Sequence, residues 1–211
     1  MALLSHTLLT VAWFSLVALG ILALFGHRKE LANVQRKEWL LLSGLALAGF
    51  ALRWFVSPHG IIHTNFHGYE FLEFALTPDP PGQIVDGLPY GTGIYSFYRP
   101  LWWVLPRTDE MLFLVNSVLG ALTPLALYFF IRILGGSWKW ALFSAAALCV
   151  LPPHVRLAPT ESEMVPASFF FLFSLVAWAS ALRSGNRLTS LVASLLMLFS
   201  VHMRILTVTF P

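Results

Sequence analysis

Long apolar stretches alternate along the chain with short stretches that carry most of its charges. A helix needs about 20 apolar residues to cross the roughly 30 Å apolar core of a bilayer. Six stretches approach this length, so the pattern predicts an all-α bundle of about six transmembrane helices. The stretches cover residues 7–26, 39–57, 110–134, 140–152, 164–182 and 188–206.

The segment 58–109 is the longest polar interruption, and seven prolines divide it into short pieces. It is also rich in aromatic residues, which are typical of the headgroup level of a membrane. We therefore expect short interfacial helices at 64–76 and 94–105. The chain then divides into two spans in 1–57, an outer loop at 58–109, and four further spans in 110–211. Because the sixth span is incomplete, we expect the chain to be truncated.

Composition excludes a soluble protein. Hydrophobic residues make up 57% of the chain and charged residues 11%, with a mean hydropathy of +0.74. Soluble domains carry about 25% charged residues. The net charge of +3 does not indicate a nucleic acid partner, because the basic residues are scattered at predicted helix ends. The single cysteine, Cys149, excludes an intramolecular disulfide and a cysteine-based metal site.

The basic residues predict an orientation, since short cytoplasmic loops are rich in Lys and Arg. The segments 27–38, 132–139 and 183–187 together carry eight basic residues, and the alternate set of loops carries three. We therefore expect the first set to be cytoplasmic. The segments 58–109 and 152–163 are then on the outer side.

The richest polar segment of the predicted outer side is 63–73. His63, His67 and Glu70 stand at i, i+4 and i+7, so a helix would place them in one stripe, and Glu73 continues it. Such a carboxylate can act as a general base. The two histidines and Glu70 can also bind a divalent metal. A third interpretation is a helix face that simply contacts water.

Arg53 lies near the outer end of the second predicted span, where a charge is costly and often functional. Its side chain either extends along the helix to the headgroups or is a cation directed at a lipid phosphate or at the region of Glu70. In the second outer loop, Thr160 and Glu163 fit a capping box for the following helix. Capping explains His154, Arg156 and Glu161 less well, and these residues are candidates for a site.

The chain resembles membrane glycosyltransferases of the GT-C superfamily, such as protein O-mannosyltransferases and aminoarabinose transferases. The stretches that carry the resemblance are Arg53 through Leu76, Tyr98-Arg99-Pro100-Leu101-Trp102, and Arg156 through Phe173. It covers less than half of the chain and corresponds to the N-terminal half of such enzymes. Many relatives have an Asp where this chain has Asn65.

The resemblance implies a hexosyl- or pentosyltransferase that uses a polyprenyl-phosphate sugar on the periplasmic face of a bacterial inner membrane. Glu70, with Glu73 as a weaker candidate, would be the catalytic carboxylate of an inverting displacement at the anomeric carbon. Arginine would stabilise the departing phosphate. The expected substrate-binding residues are Arg53, Asn65, His67, Arg99, Arg156, Glu161 and Glu163.

Two other functions fit the sequence. One is a non-catalytic scaffold or accessory subunit that binds partner helices or a missing C-terminal half. The other is a lipid-binding, transporter-like protein, although transporters usually carry ionisable residues near the middle of the membrane. The expected partners are membrane lipids and a lipid-linked sugar donor. A divalent metal is the one cofactor that the residues suggest.

Overall fold

The computed structural model describes residues 34–61, 72, 75–76 and 93–203, and all regular structure in these ranges is helical. The all-α prediction is confirmed for this part of the chain. The predicted span 7–26 lies outside the described residues. The described helices are α1 (Arg36–Ala51, continued by a π-helical turn, Leu52–Val56), α2 (Gly93–Leu101), α3 (Asp109–Ile133), α4 (Trp138–Val150), α5 (Pro152–Leu157), α6 (Met164–Ser184) and α7 (Arg187–Met203).

Three of these helices are long and apolar enough to cross a membrane: α1 with its π-helical turn, α3 and α6. This is consistent with a membrane protein. Helix α4 has 13 residues, which corresponds to about 20 Å. It is therefore shorter than a typical span, and α7, with 17 residues, is slightly short as well. The count of six spans stays a prediction.

Helix α3 is the centre of the described bundle and packs against α1, α4 and α6. Its buried positions include Gly120, Ala121 and Ala126. Small residues allow helix backbones to approach closely, which is the usual way in which helices pack in membranes. Helix α7 packs along α6 and also contacts α2.

Neighbouring helices run in opposite directions, so the polar connections between them gather at two ends of the bundle. The ammonium of Lys37 lies over the ring of Trp138 at 5.0 Å, and Arg183 donates a 2.8 Å hydrogen bond to the carbonyl of Ile133. We call this the basic end; its cations are Arg36, Lys37, Arg132, Lys139, Arg183 and Arg187. The opposite end contains Arg53, Tyr98, Asn116, His154 and Thr160, and we call it the Arg53 end.

Helix α2 lies where the sequence predicts a helix at 94–105, and three of the four aromatic rings whose exposure is described in that range are buried. Phe97, Tyr98 and the following Trp102 are buried, and they pack in a core with residues of α3 and α6. Trp103, the fourth ring whose exposure the structure describes, is 62% exposed. The three buried rings therefore fill space between helices, and the expectation that they lie at the headgroup level stays a prediction.

The predicted capping box at Thr160 and Glu163 is wrong. Helix α6 begins at Met164, and its N-cap residue is Glu163, whose side chain makes no capping hydrogen bond. Thr160 instead stabilises the preceding turn. Its Oγ1 donates to the carbonyl of Leu157 at 2.6 Å and accepts from the backbone N–H of Ser162 at 3.2 Å.

Candidate functional site

Arg53 is fully enclosed by protein, with 0% of its surface exposed. Its Nη1 donates to the carbonyl of Gly49 at 2.8 Å, and its Nη2 lies 2.6 Å from Nδ1 of His154. The interpretation that Arg53 extends to the headgroups is therefore wrong. The guanidinium points between helices and joins α1 to α5.

Two glycines make room for this side chain. A Cβ at Gly120 would lie 3.0 Å from Nε of Arg53 and 2.8 Å from Cβ of Ala158. A Cβ at Gly49 would lie 2.8 Å from Sγ of Cys149 and 3.3 Å from Nη1 of Arg53. A larger residue at either position would push the guanidinium out of place. Nε itself has no hydrogen-bond partner within the described part of the chain.

The contact with Arg53 determines the protonation state of His154. A guanidinium only donates hydrogen bonds, so Nδ1 of His154 must accept and the ring proton must be on Nε2. The imidazole is therefore neutral. Burial and the positive charge of Arg53 both lower the pKa of His154, to about 4.

A second buried network joins α2, α3 and the loop before α6. The hydroxyl of Tyr98 donates to Oδ1 of Asn116 at 2.5 Å, and Nδ2 of Asn116 donates to the carbonyl of Thr160 at 2.7 Å. Burial raises the pKa of the Tyr98 hydroxyl, and the negative charge of Glu163 raises it further. The phenol is thus a fixed hydrogen-bond donor in the described structure.

The loop 152–163 is also attached to the segment that follows α1. Nη1 of Arg156 donates to the carbonyl of Pro58 at 3.1 Å, and the backbone N–H of Gly60 donates to the carbonyl of Pro159 at 3.3 Å. Arg156 is exposed, whereas Glu161 and Glu163 are each 3% exposed. These contacts bring three predicted substrate-binding residues, with Arg53, to one end of the bundle.

Other predicted site residues are not tested by the structure. Arg99 is partly buried on α2, next to Tyr98. Within residues 34–61, 72, 75–76 and 93–203, no group of three or more His, Cys, Asp or Glu side chains could hold a metal ion. The predicted catalytic, metal-binding and loop residues His63, Asn65, His67, Glu70 and Glu73 lie outside the described residues.

An apolar groove of about 430 Å³ is lined by residues of α2, α3 and α6 and by Leu105. Phe97 lines the groove, and its ring centroid lies 4.8 Å from that of Tyr98. Val115, which precedes Asn116, lines it as well. The remaining lining residues are Leu101, Leu105, Met111, Leu114, Val118, Leu119, Phe169 and Phe170.

The sequence interpretation missed two polar pairs. One is the Tyr98–Asn116 pair at the Arg53 end. The other lies at the basic end, where buried Glu38 accepts a hydrogen bond from the hydroxyl of Tyr128 and lies 3.6 Å from Nε of Arg132. Asn116 and Tyr128 are polar residues inside an apolar helix. Such residues usually have a polar partner, so the sequence alone could have identified both as candidates.

Comparison of the chain with protein-family models, curated proteins and solved structures finds no match.

Proposed function

We propose that the chain is a membrane glycosyltransferase, or the N-terminal part of one, that takes a sugar from a polyprenyl-phosphate donor on the outer side of the membrane. The observation that carries this proposal is the apolar groove lined by residues of α2, α3 and α6 and by Leu105. A polyprenyl phosphate is an amphiphile with a long apolar tail and an anionic head. The fully apolar lining of the groove suits the tail of such a molecule, and the anionic head would then need a cation outside the groove.

The geometry changes how we assign the arginines. Arg53 is enclosed and directs Nη2 to His154, so it holds the loop 152–163 in place. Arg156 is exposed at the same end and is the better candidate for the lipid phosphate, together with Arg99. An arginine can bind two phosphate oxygens at once and stabilise the charge that develops on the leaving group.

In the proposed reaction, a hydroxyl of the acceptor attacks the anomeric carbon of the sugar. A new carbon–oxygen bond forms as the bond to the phosphate oxygen breaks, and the electron pair leaves with the polyprenyl phosphate. Glu70, with Glu73 as the weaker candidate, would accept the hydroxyl proton. The displacement inverts the configuration at the anomeric carbon.

A non-catalytic scaffold that binds the same lipid is the second candidate. The enclosed position of Arg53 favours it, because a charge that holds helices together has a structural role without any reaction. Both candidates require lipid binding in the groove, and only the first requires transfer of the sugar.

The experiment measures binding and transfer separately on the full chain in lipid nanodiscs. The probes are a radiolabelled polyprenyl-phosphate sugar for transfer and polyprenyl phosphate for binding. Val118→Trp places a large side chain in the groove and should weaken binding about tenfold. Phe143→Trp changes another exposed apolar position, on α4 and outside the groove, and should have no effect.

Glu70→Gln then distinguishes the two candidates. Binding that persists while transfer is lost supports the enzyme, with Glu70 as its base. Binding without transfer in the unmodified chain supports the scaffold. Absence of binding, or equal binding by the Val118→Trp and unmodified chains, would contradict both.

A further inference from the structure

The two ends of the bundle differ strongly in charge. Among the described residues, the basic end contains six cations and one carboxylate, Glu38, whereas the remaining residues contain four cations and four carboxylates. Glu38 is 2% exposed and is engaged by Tyr128 and Arg132. It therefore does not neutralise the exposed cations of its end.

Three of these cations are close to exposed tryptophans where α1 and α4 begin. Arg36, Lys37 and Lys139 are exposed, and the ammonium of Lys37 lies over the ring of Trp138. Trp39 and Trp140 are 42% and 67% exposed. We call these six residues the basic-aromatic patch.

We propose that the basic-aromatic patch binds the headgroups of anionic phospholipids in the adjacent membrane leaflet. Helix α1 is long and apolar enough to span a membrane, so the patch at its first turn lies at a membrane surface. Tryptophan rings are stable at that level, and nearby Lys and Arg attract anionic lipids. A surface for a soluble anion would need the cations but not the exposed indoles. This inference does not depend on the proposed enzymatic activity.

The cations and the indole rings of the basic-aromatic patch contribute differently to lipid binding. The rings of Trp39 and Trp140 fix the depth of the patch at the headgroups, and the cations select the headgroup by charge. The contact with Trp138 restrains the Lys37 side chain, which lowers the entropy that a flexible lysine loses on binding.

The test uses the full chain in nanodiscs of mixed phosphatidylglycerol and phosphatidylcholine, with bromine on the acyl chains of one lipid at a time. Bromine quenches nearby tryptophans. The signal of the patch is the part of the emission that is lost in the variant Trp39→Phe/Trp140→Phe. We expect stronger quenching by brominated phosphatidylglycerol than by brominated phosphatidylcholine at equal lipid fractions.

Charge-removing variants define the source of the preference. Lys139→Gln and Lys37→Gln should each lower the preference for phosphatidylglycerol about fivefold. Arg107→Gln removes an exposed cation far from the patch and should leave the preference unchanged. Arg187→Gln removes one at the same end but outside the patch, and its effect should be much smaller than that of Lys139→Gln.

Three results would overturn the proposal. Equal quenching by the two lipids in the unmodified chain would remove the preference itself. An effect of Arg187→Gln as large as that of Lys139→Gln would assign the preference to the whole basic end rather than the patch. Displacement by millimolar inorganic phosphate would identify a site for a free anion.

Discussion

At the scale of single residues, the most unusual feature is a charged side chain inside a helix that can span a membrane. Burial of a charge is costly unless hydrogen bonds compensate for it. Arg53 is compensated by the carbonyl of Gly49 and by the imidazole of His154. Its position in a π-helical turn fits this role, since such turns often occur at functional sites. The pair works only while His154 is neutral.

Stability should therefore fall as the pH falls through the range of His154. An exposed histidine in the unfolded chain binds its proton near pH 6.5, whereas burial beside Arg53 lowers the pKa of His154 to about 4. Between these values the unfolded state binds more protons, so stability is fully present above about pH 6.5 and decreases towards pH 4. The measurement is the thermal unfolding midpoint in detergent between pH 7.5 and pH 4.5.

His154→Gln and His59→Gln are the matched variants for this experiment. The amide oxygen of Gln can accept from Arg53 but does not titrate, so His154→Gln should flatten the pH dependence. His59 contacts the carbonyl of Trp54 through Nε2, away from Arg53, and His59→Gln should keep the dependence. A slope that persists in His154→Gln would show that another group causes it.

At the scale of the helices, close packing between α1, α3 and the loop 152–163 depends on Gly120. In Gly120→Ala the new methyl group would contact Arg53 and Ala158 at 3.0 Å or less. Overpacking of this kind costs roughly 1–3 kcal/mol. We expect the variant to lose about that much free energy of unfolding, measured by denaturant titration in mixed micelles.

Gly44→Ala is the control on α1. A Cβ at Gly44 meets nothing within 4 Å, and alanine is favoured over glycine inside a helix by roughly 0.5–1 kcal/mol. This variant should be neutral or slightly more stable. Equal losses in the two variants would mean that the change acts through the helix backbone and not through packing at Arg53.

The helices could be predicted from the sequence, but their polar contacts could not. Apolar length is a local property, and it located α1, α3 and α6 within a few residues. The partner of Asn116 is Tyr98, which lies on another helix, and Glu38 and Tyr128 are 90 residues apart. Such pairs depend on which helices pack against each other, and the hydrophobic pattern of a single segment does not determine this. The capping box failed for a different reason, because α6 begins only at Met164 and the Thr160 hydroxyl is engaged by Leu157 and Ser162.

At the scale of the whole molecule, the two polar ends are closer together than a bilayer is thick. Glu38 and Arg53 are separated by 15 residues of helix, or about 22 Å, and α4 connects the same ends in about 20 Å. The apolar core of a bilayer measures roughly 30 Å. If Glu38 lies at one boundary of that core, Arg53 and His154 lie inside the core, short of its opposite boundary. The bilayer then has to thin around α4, or water has to reach the polar network.

Labelling of single cysteines tests whether α4 crosses the membrane despite its length. In a Cys149→Ala chain reconstituted in sealed vesicles of uniform orientation, we expect a membrane-impermeant maleimide to modify Lys139→Cys and Arg187→Cys from one side and Arg107→Cys and Pro153→Cys from the other. All four positions are exposed, so accessibility within the protein does not limit the reaction. Because Lys139 and Pro153 flank α4, modification of both from the same side would show that α4 does not cross the membrane. Modification from opposite sides requires a crossing by a 13-residue helix, and the bilayer must then be locally thin beside Arg53.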